Sequence, residues 1–77
     1  MTDSALLRKK IDESGLKFGF LVEKLGTSYK WLNKKIDNEA DFRVWEVEVL
    51  CECLGITDIT ERDRIFFANF VEKSSTN

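Results

Sequence analysis

A chain of 77 residues has room for one domain, and with 43% apolar residues, nine of them aromatic, it is too apolar to stay disordered. With no histidine and only two cysteines it lacks the ligands of an ordinary mononuclear zinc site, and it contains no apolar run long enough to span a membrane. The net charge of −2 argues mildly against a nucleic-acid partner, but the charge is lopsided: residues 1–36 sum to +4 and residues 37–77 to −6. A phosphate backbone responds to the local patch more than to the total.

There is no proline, and the four glycines fall at positions 15, 19, 26 and 55. Three of them follow apolar-periodic stretches, where helices stop. The expectation is an all-α domain of five helices with short connections. The first helix is predicted over residues 4–14, capped by Asp3 or Ser4. Leu7 and Ile11 share its inner face, with Leu6 beside them, and Arg8, Lys9 and Lys10 form a basic cluster on its other sides. That cluster reads equally as a solvated face or as a phosphate contact. Leu16, after Gly15, is placed to fold back as an apolar plug.

The second helix is predicted over residues 18–25, where Phe18, Leu21, Val22 and Leu25 form a stripe at helical spacing. Gly19 weakens it by about 1 kcal/mol relative to alanine. Gly26 permits the positive φ of a tight turn, and Thr27 or Ser28 caps the third helix, predicted over residues 29–37. Its apolar seam is narrow. With Leu32 taken as the inward direction, Ile36 lies about 40° away and Tyr29 about 60°. Lys30 and Lys34 lie about 160° and 200° away and point outward, flanked by Asn33 and Trp31.

A polar connection follows, with Asp41 as a candidate cap and Arg43 in the first turn of the next helix. Residues 44–54 are ambiguous: Val47, Val49, Cys51 and Cys53 alternate as a strand would, while Val44, Val47, Leu50, Cys51 and Leu54 keep helical spacing. A lone strand would leave its ladder unpaired, and Gly55 stands where a helix would end, so a helix is expected. The two cysteines then lie about 200° apart on one helix, which excludes a disulfide or a shared metal between them. They read as small buried apolar residues. The last helix is predicted over residues 60–72, with Thr60 and Asp63 as a capping box and an earlier start at Thr57 as an alternative. Ile65, Phe66, Phe67, Phe70 and Val71 are too wide a set for one stripe, so part of that surface is expected on the first helix and part at another subunit. Residues 73–77 are expected to fray, which leaves residues 4–72 as the core of the domain. Trp45, opposite Val47, reads as core or interface, and Trp31 as a core plug against the fourth helix, a base or sugar contact or an interface anchor, with partial burial favoured.

Leu21, Leu25, Gly26 and Leu32 occupy the apolar and glycine positions of a helix-turn-helix motif of about twenty residues. The run Leu32-Asn33-Lys34-Lys35-Ile36 resembles the recognition helix of Cro, and Glu61 to Ala68 resembles the last helix of small prophage regulators. The chain is thus similar, over residues 4–70, to the Cro and phage-repressor class, whose domain is the five-helix lambda-repressor-like fold. It departs from that class at Val22, where a small residue is usual, at Phe18, where a polar residue often meets phosphate and Lys17 is the substitute, and at the bulky Trp31.

The resemblance implies a transcriptional regulator that binds double-stranded DNA as a homodimer. Tyr29, Lys30 and Lys34 would reach base edges, lysine donating to guanine O6 and N7 and the tyrosine ring touching a thymine methyl. Lys17, Ser28, Asn33, Lys35 and Arg43 would contact phosphate. No cofactor, metal, membrane or small-molecule ligand is expected, and, without a charged-then-apolar leader, the expected location is cytoplasmic. The rival reading is a protein-interaction module on the same fold, antirepressor or antitoxin-like, with little affinity for DNA. An enzyme is not expected: there is no histidine and no glycine-rich phosphate loop, the chain is small for a substrate pocket, and its carboxylates are placed on solvated faces or helix starts.

Overall fold

The computed structural model describes residues 1–68, among which there are five α-helices and no strand. They are α1 (Ser4–Ser14), α2 (Phe18–Leu25), α3 (Tyr29–Ile36), α4 (Val44–Leu54) and α5 (Ile59–Phe66). The all-helical expectation therefore holds, and the segment that could have been a strand is α4. No helix among the described residues is long and apolar enough to cross a membrane.

Every helix sends at least one side chain to full burial: Leu7 from α1, Leu21 from α2, Leu32 and Ile36 from α3, Leu50 from α4 and Ile65 from α5. α1 is the hub and packs on α3, α4 and α5, while α2 packs on α3 and α4. The periodic stripes explain why. Leu7 and Ile11 in α1, and Leu21, Val22 and Leu25 in α2, are the buried positions that the spacing picks out. Leu16 is half-buried against the core, as the plug after α1. Asp3 caps α1 by accepting the Leu6 N–H at 3.0 Å. Both cysteines are free; Cys51 is buried, and desolvation pushes its thiol pKa up, so it acts as an inert apolar group.

Three expectations fail at the starts of helices. Val44 is 76% exposed rather than part of the α4 stripe, because it sits in the first turn and overhangs the edge of the core. Asp41 does not cap α4; Arg43 is the N-cap residue, and its backbone N–H is held by the Glu46 carboxylate at 2.8 Å, half of a capping box. Thr60 and Asp63 form no box either. α5 starts at Ile59 because Asp58 accepts the Thr60 N–H at 3.0 Å, and Asp63 instead pairs with Arg62 at 3.2 Å. α5 ends at Phe66, since Phe67 takes the non-helical φ −129°, ψ 40°. The predicted continuation through residues 69–72, with Phe70 and Val71, and the tail at 73–77 lie outside the described residues.

The first residues are tied down by a clasp that no local pattern announces. Asn38 adopts a left-handed φ of 64°, which asparagine tolerates better than most residues. Its side-chain amide accepts the Thr2 N–H and donates to the Thr2 carbonyl, both at 2.8 Å. Asp3 N–H donates to the Ile65 carbonyl at 2.7 Å, Ala68 N–H to the Met1 carbonyl at 2.9 Å, and Ser4 Oγ to the Ile36 carbonyl at 2.6 Å. Nearby, Phe42 meets Phe66 edge-on, with centroids 5.5 Å apart. The connection after α3, the start of α1 and the end of α5 are thereby joined at one place.

Glu46 contradicts the expectation of solvated carboxylates: it is only 2% exposed. One oxygen holds the Arg43 N–H and the other pairs with Lys35 Nζ at 2.5 Å. Removing one member of a buried pair leaves the other charge uncompensated. Glu46→Ala is expected to lower stability in urea unfolding by about 3 kcal/mol, the low end for such a loss because Lys35 keeps some access to water. Glu46→Gln, which can still accept the Arg43 N–H, is expected to cost less.

Candidate nucleic-acid interface

α2 ends in a Schellman pattern at Gly26, whose φ is 61°. The Gly26 N–H donates to the Glu23 carbonyl and the Thr27 N–H to the Val22 carbonyl, each at 3.1 Å. Of the two candidate caps of α3, Ser28 is the one used: its Oγ accepts the Trp31 N–H at 3.2 Å. The turn between α2 and α3 is thus fixed by three residues, 26–28, and Val22, larger than the resemblance would place there, is buried beside it.

α3 is held from inside by Leu32 and Ile36, both at 0% exposure. Outward lie Lys30, Lys34 and Trp31, with Tyr29 at the first turn. Lys30 is exposed and has no ion pair among the described residues. Lys34 is half-buried, with Nζ 5.4 Å from the centroid of the Trp31 ring. Tyr29 is exposed but leans back on α2, its ring 5.8 Å from that of Phe18. Its hydroxyl lies where a side chain on Gly19 would stand, since a Cβ there would be 2.4 Å from Tyr29 Oη. The glycine that weakens α2 is also the seat of Tyr29.

The residues nominated for phosphate contact are not brought together as one set. Lys17 is exposed at the start of α2, where no side chain caps the helix. Ser28 Oγ is used as an acceptor, which leaves its O–H free to donate. Arg43 is exposed at the start of α4. Asn33 is engaged within the protein: its amide donates to the Tyr29 carbonyl at 3.0 Å, and its oxygen accepts from Arg8 at 3.1 Å. Lys35 is turned inward to Glu46 with only 14% of its side chain exposed, so it is not presented to a ligand. The cause is angular, since Lys35 stands only about 60° from Leu32 around the helix.

The basic cluster on α1 is largely neutralised as well. Arg8 bridges to Asp37 at 3.0 Å, and Lys10 pairs with Glu61 at 2.9 Å, a hydrogen bond that raises the lysine pKa. Lys9 is exposed, with no ion pair among the described residues. Along residues 17–36 there are five lysines and a single acidic residue, Glu23, and only Lys35 has an acidic partner among the described residues. The densest run of lysines without acidic partners among the described residues therefore lies along residues 17–34, from the start of α2 to the outer side of α3. Two features of this surface went unread in the sequence: the exposed Phe20, with Lys24 Nζ 5.5 Å from its ring centroid, and Gly19 as a packing site. The first is an i, i+4 aromatic–lysine spacing that sequence alone can reveal.

No family model, curated protein or solved structure matches the chain. Its chemistry must be read from the site itself. Among the described residues no group of three or more cysteine or carboxylate side chains is placed to hold a metal ion. What the surface offers is a short helix with hydrogen-bond donors, two cations and a large aromatic on its outer side.

The contact between Gly19 and Tyr29 makes a testable link between the two helices. Gly19→Ala raises intrinsic helix stability by about 1 kcal/mol, but its methyl displaces the Tyr29 hydroxyl. In a Tyr29→Phe background that obstacle is gone. Urea unfolding of the double-mutant cycle is expected to give a coupling of about 0.5 kcal/mol or more, with alanine better tolerated beside phenylalanine.

Proposed function

We propose that the chain is a sequence-specific DNA-binding transcriptional regulator, repressor-like and of the Cro or prophage type, with α3 entering the major groove. The observation that carries this reading is the composition of α3: its inner side is one fully buried seam, and its outer side carries Lys30 and Lys34 without acidic partners among the described residues. Eight residues are one short helix, and a groove accepts a helix whose first turns carry the contacts.

In this reading Lys30 and Lys34 donate to guanine O6 and N7, and Tyr29 presents its exposed ring to a base edge. Lys17, Ser28 and Arg43 hold phosphates and set the register of the protein on the duplex. Asn33 and Lys35 move from the contact set to a structural one: Asn33 ties the helix to Arg8, and Lys35 ties it to Glu46. The protein works in the cytoplasm as a homodimer on a pseudo-palindromic operator, its two α3 helices about 34 Å apart, and acts by occluding polymerase or a competing repressor. No cofactor enters the mechanism.

A second reading, a protein-interaction module of antirepressor or antitoxin type, is favoured by one observation. Phe20, Tyr29 and Trp31 are 42%, 58% and 51% exposed on a chain of net charge −2. Selection from a random pool of DNA duplexes separates the two: enrichment of a palindrome is expected, and no enrichment at low salt would refute the DNA reading. On the selected duplex, Lys30→Ala with Lys34→Ala is expected to weaken binding by about 100-fold, roughly a factor of ten for each base contact, while the urea midpoint stays unchanged. Lys17→Ala is expected to weaken all sequences alike and to reduce the salt slope by about one.

A further inference from the structure

We infer that Trp31 is a specificity-determining residue whose indole reads a thymine methyl on the base pair next to the one contacted by Lys34. The inference rests on the DNA-binding reading above and adds to it a residue and a chemical group.

Trp31 is the bulkiest side chain on α3, and half of it, 51%, is open to solvent. Its backbone N–H bonds Ser28 Oγ, which places it in the first turn, the part of a recognition helix that meets base edges. Around the helix it stands about 60° from Lys34 and about 100° from the buried Leu32, so it shares the outward side with the lysine. Core packing does not account for such an exposed indole. The contact it does make is with the lysine: Nζ of Lys34 lies 5.4 Å from its ring centroid.

That contact has a consequence for both groups. A lysine side chain carries large rotamer freedom, and an aromatic face attracts its ammonium. Lys34 is thereby biased to one side of α3 while its N–H donors stay available, since it has no acidic partner among the described residues. The indole beside it is a flat apolar surface. The apolar group on a base edge in the major groove is the C5 methyl of thymine, and the acceptor pair suited to an ammonium is guanine O6 and N7. A tethered pair of one apolar plate and one cation therefore selects a thymine next to a guanine. Tyr29 is a poorer candidate for the same methyl, because its ring leans on Phe18 and its hydroxyl fills the gap over Gly19.

Replacing thymidine by deoxyuridine removes that methyl and nothing else, so it is the direct probe. On the duplex selected with the wild-type protein, each thymidine is exchanged in turn. One position per half-site is expected to weaken wild-type binding by about fourfold, the worth of one buried methyl. Trp31→Ala is expected to bind the thymidine and deoxyuridine duplexes equally at that position, Trp31→Phe to keep part of the discrimination, and Tyr29→Ala to keep all of it. Binding of Trp31→Ala to unrelated duplex DNA is expected to stay at the wild-type level, which separates lost readout from lost fold. If Trp31→Ala discriminates against deoxyuridine as the wild type does at every position, the inference is overturned while the DNA-binding reading stands. If no duplex is enriched at all, both fall together.

Discussion

Glu46 is held between two demands that share one geometry. One carboxylate oxygen fixes the Arg43 N–H and so sets where α4 begins; the other fixes Lys35 and so sets how α3 is rolled against α4. A carboxylate this deep is costly to desolvate, by several kcal/mol, and it is tolerated only because both oxygens are matched. The cost has a structural return. α3 is eight residues long, too short to be stable alone, and its apolar seam is only Leu32 and Ile36. The ion pair to α4 on one side and the Arg8 bridge to Asn33 and Asp37 on the other act as guy lines that keep the seam inward. Once the roll of α3 is fixed, Lys30, Trp31 and Lys34 have nowhere to point but out.

The same pairing explains how a net acidic chain keeps a positive surface. The acidic residues of the second half are partly spent on the first: Glu61 on Lys10, Asp37 on Arg8, Glu46 on Lys35. Each pair ties two helices, or one helix to the connection that follows another, at a place away from the outer side of α3. The lysines of α2 and α3 receive no such partner among the described residues except at Lys35. Total charge is therefore a poor guide here, because positive and negative groups are sorted by position rather than mixed.

Helices were legible where the information is local. Gly15, Gly26 and Gly55 mark the ends of α1, α2 and α4, and the spacing of Leu7 with Ile11 or of Leu21, Val22 and Leu25 marks the buried faces. The same angular rule sent Lys30 and Lys34 outward, and applied to Lys35 it would have turned that residue inward. Other features were illegible because their partners are remote in sequence. Nothing near Thr2 points to Asn38, 36 residues on, and nothing in the helix-weakening Gly19 announces that a tyrosine ten positions later needs its missing side chain. Val44 and the start of α5 failed for a different reason: periodicity describes the middle of a helix, whereas the first turn answers to capping, and several residues near each start can cap.

The clasp between Thr2 and Asn38 has a kinetic meaning. The turn at residues 26–28 joins neighbours and can form early, at little entropic cost. The clasp instead closes a loop of 36 residues and also waits for the end of α5, through the Asp3 N–H on Ile65. Local openings begin most easily at chain ends and wherever a segment is held by few buried contacts. Opening this one frees the start of α1 and breaks the Ser4 hydrogen bond to the Ile36 carbonyl in the same event, while the Lys35–Glu46 and Arg8–Asp37 pairs keep the end of α3 in place. Amide hydrogens of Thr2 and Asp3 should then exchange together, ahead of those in the middle of α1.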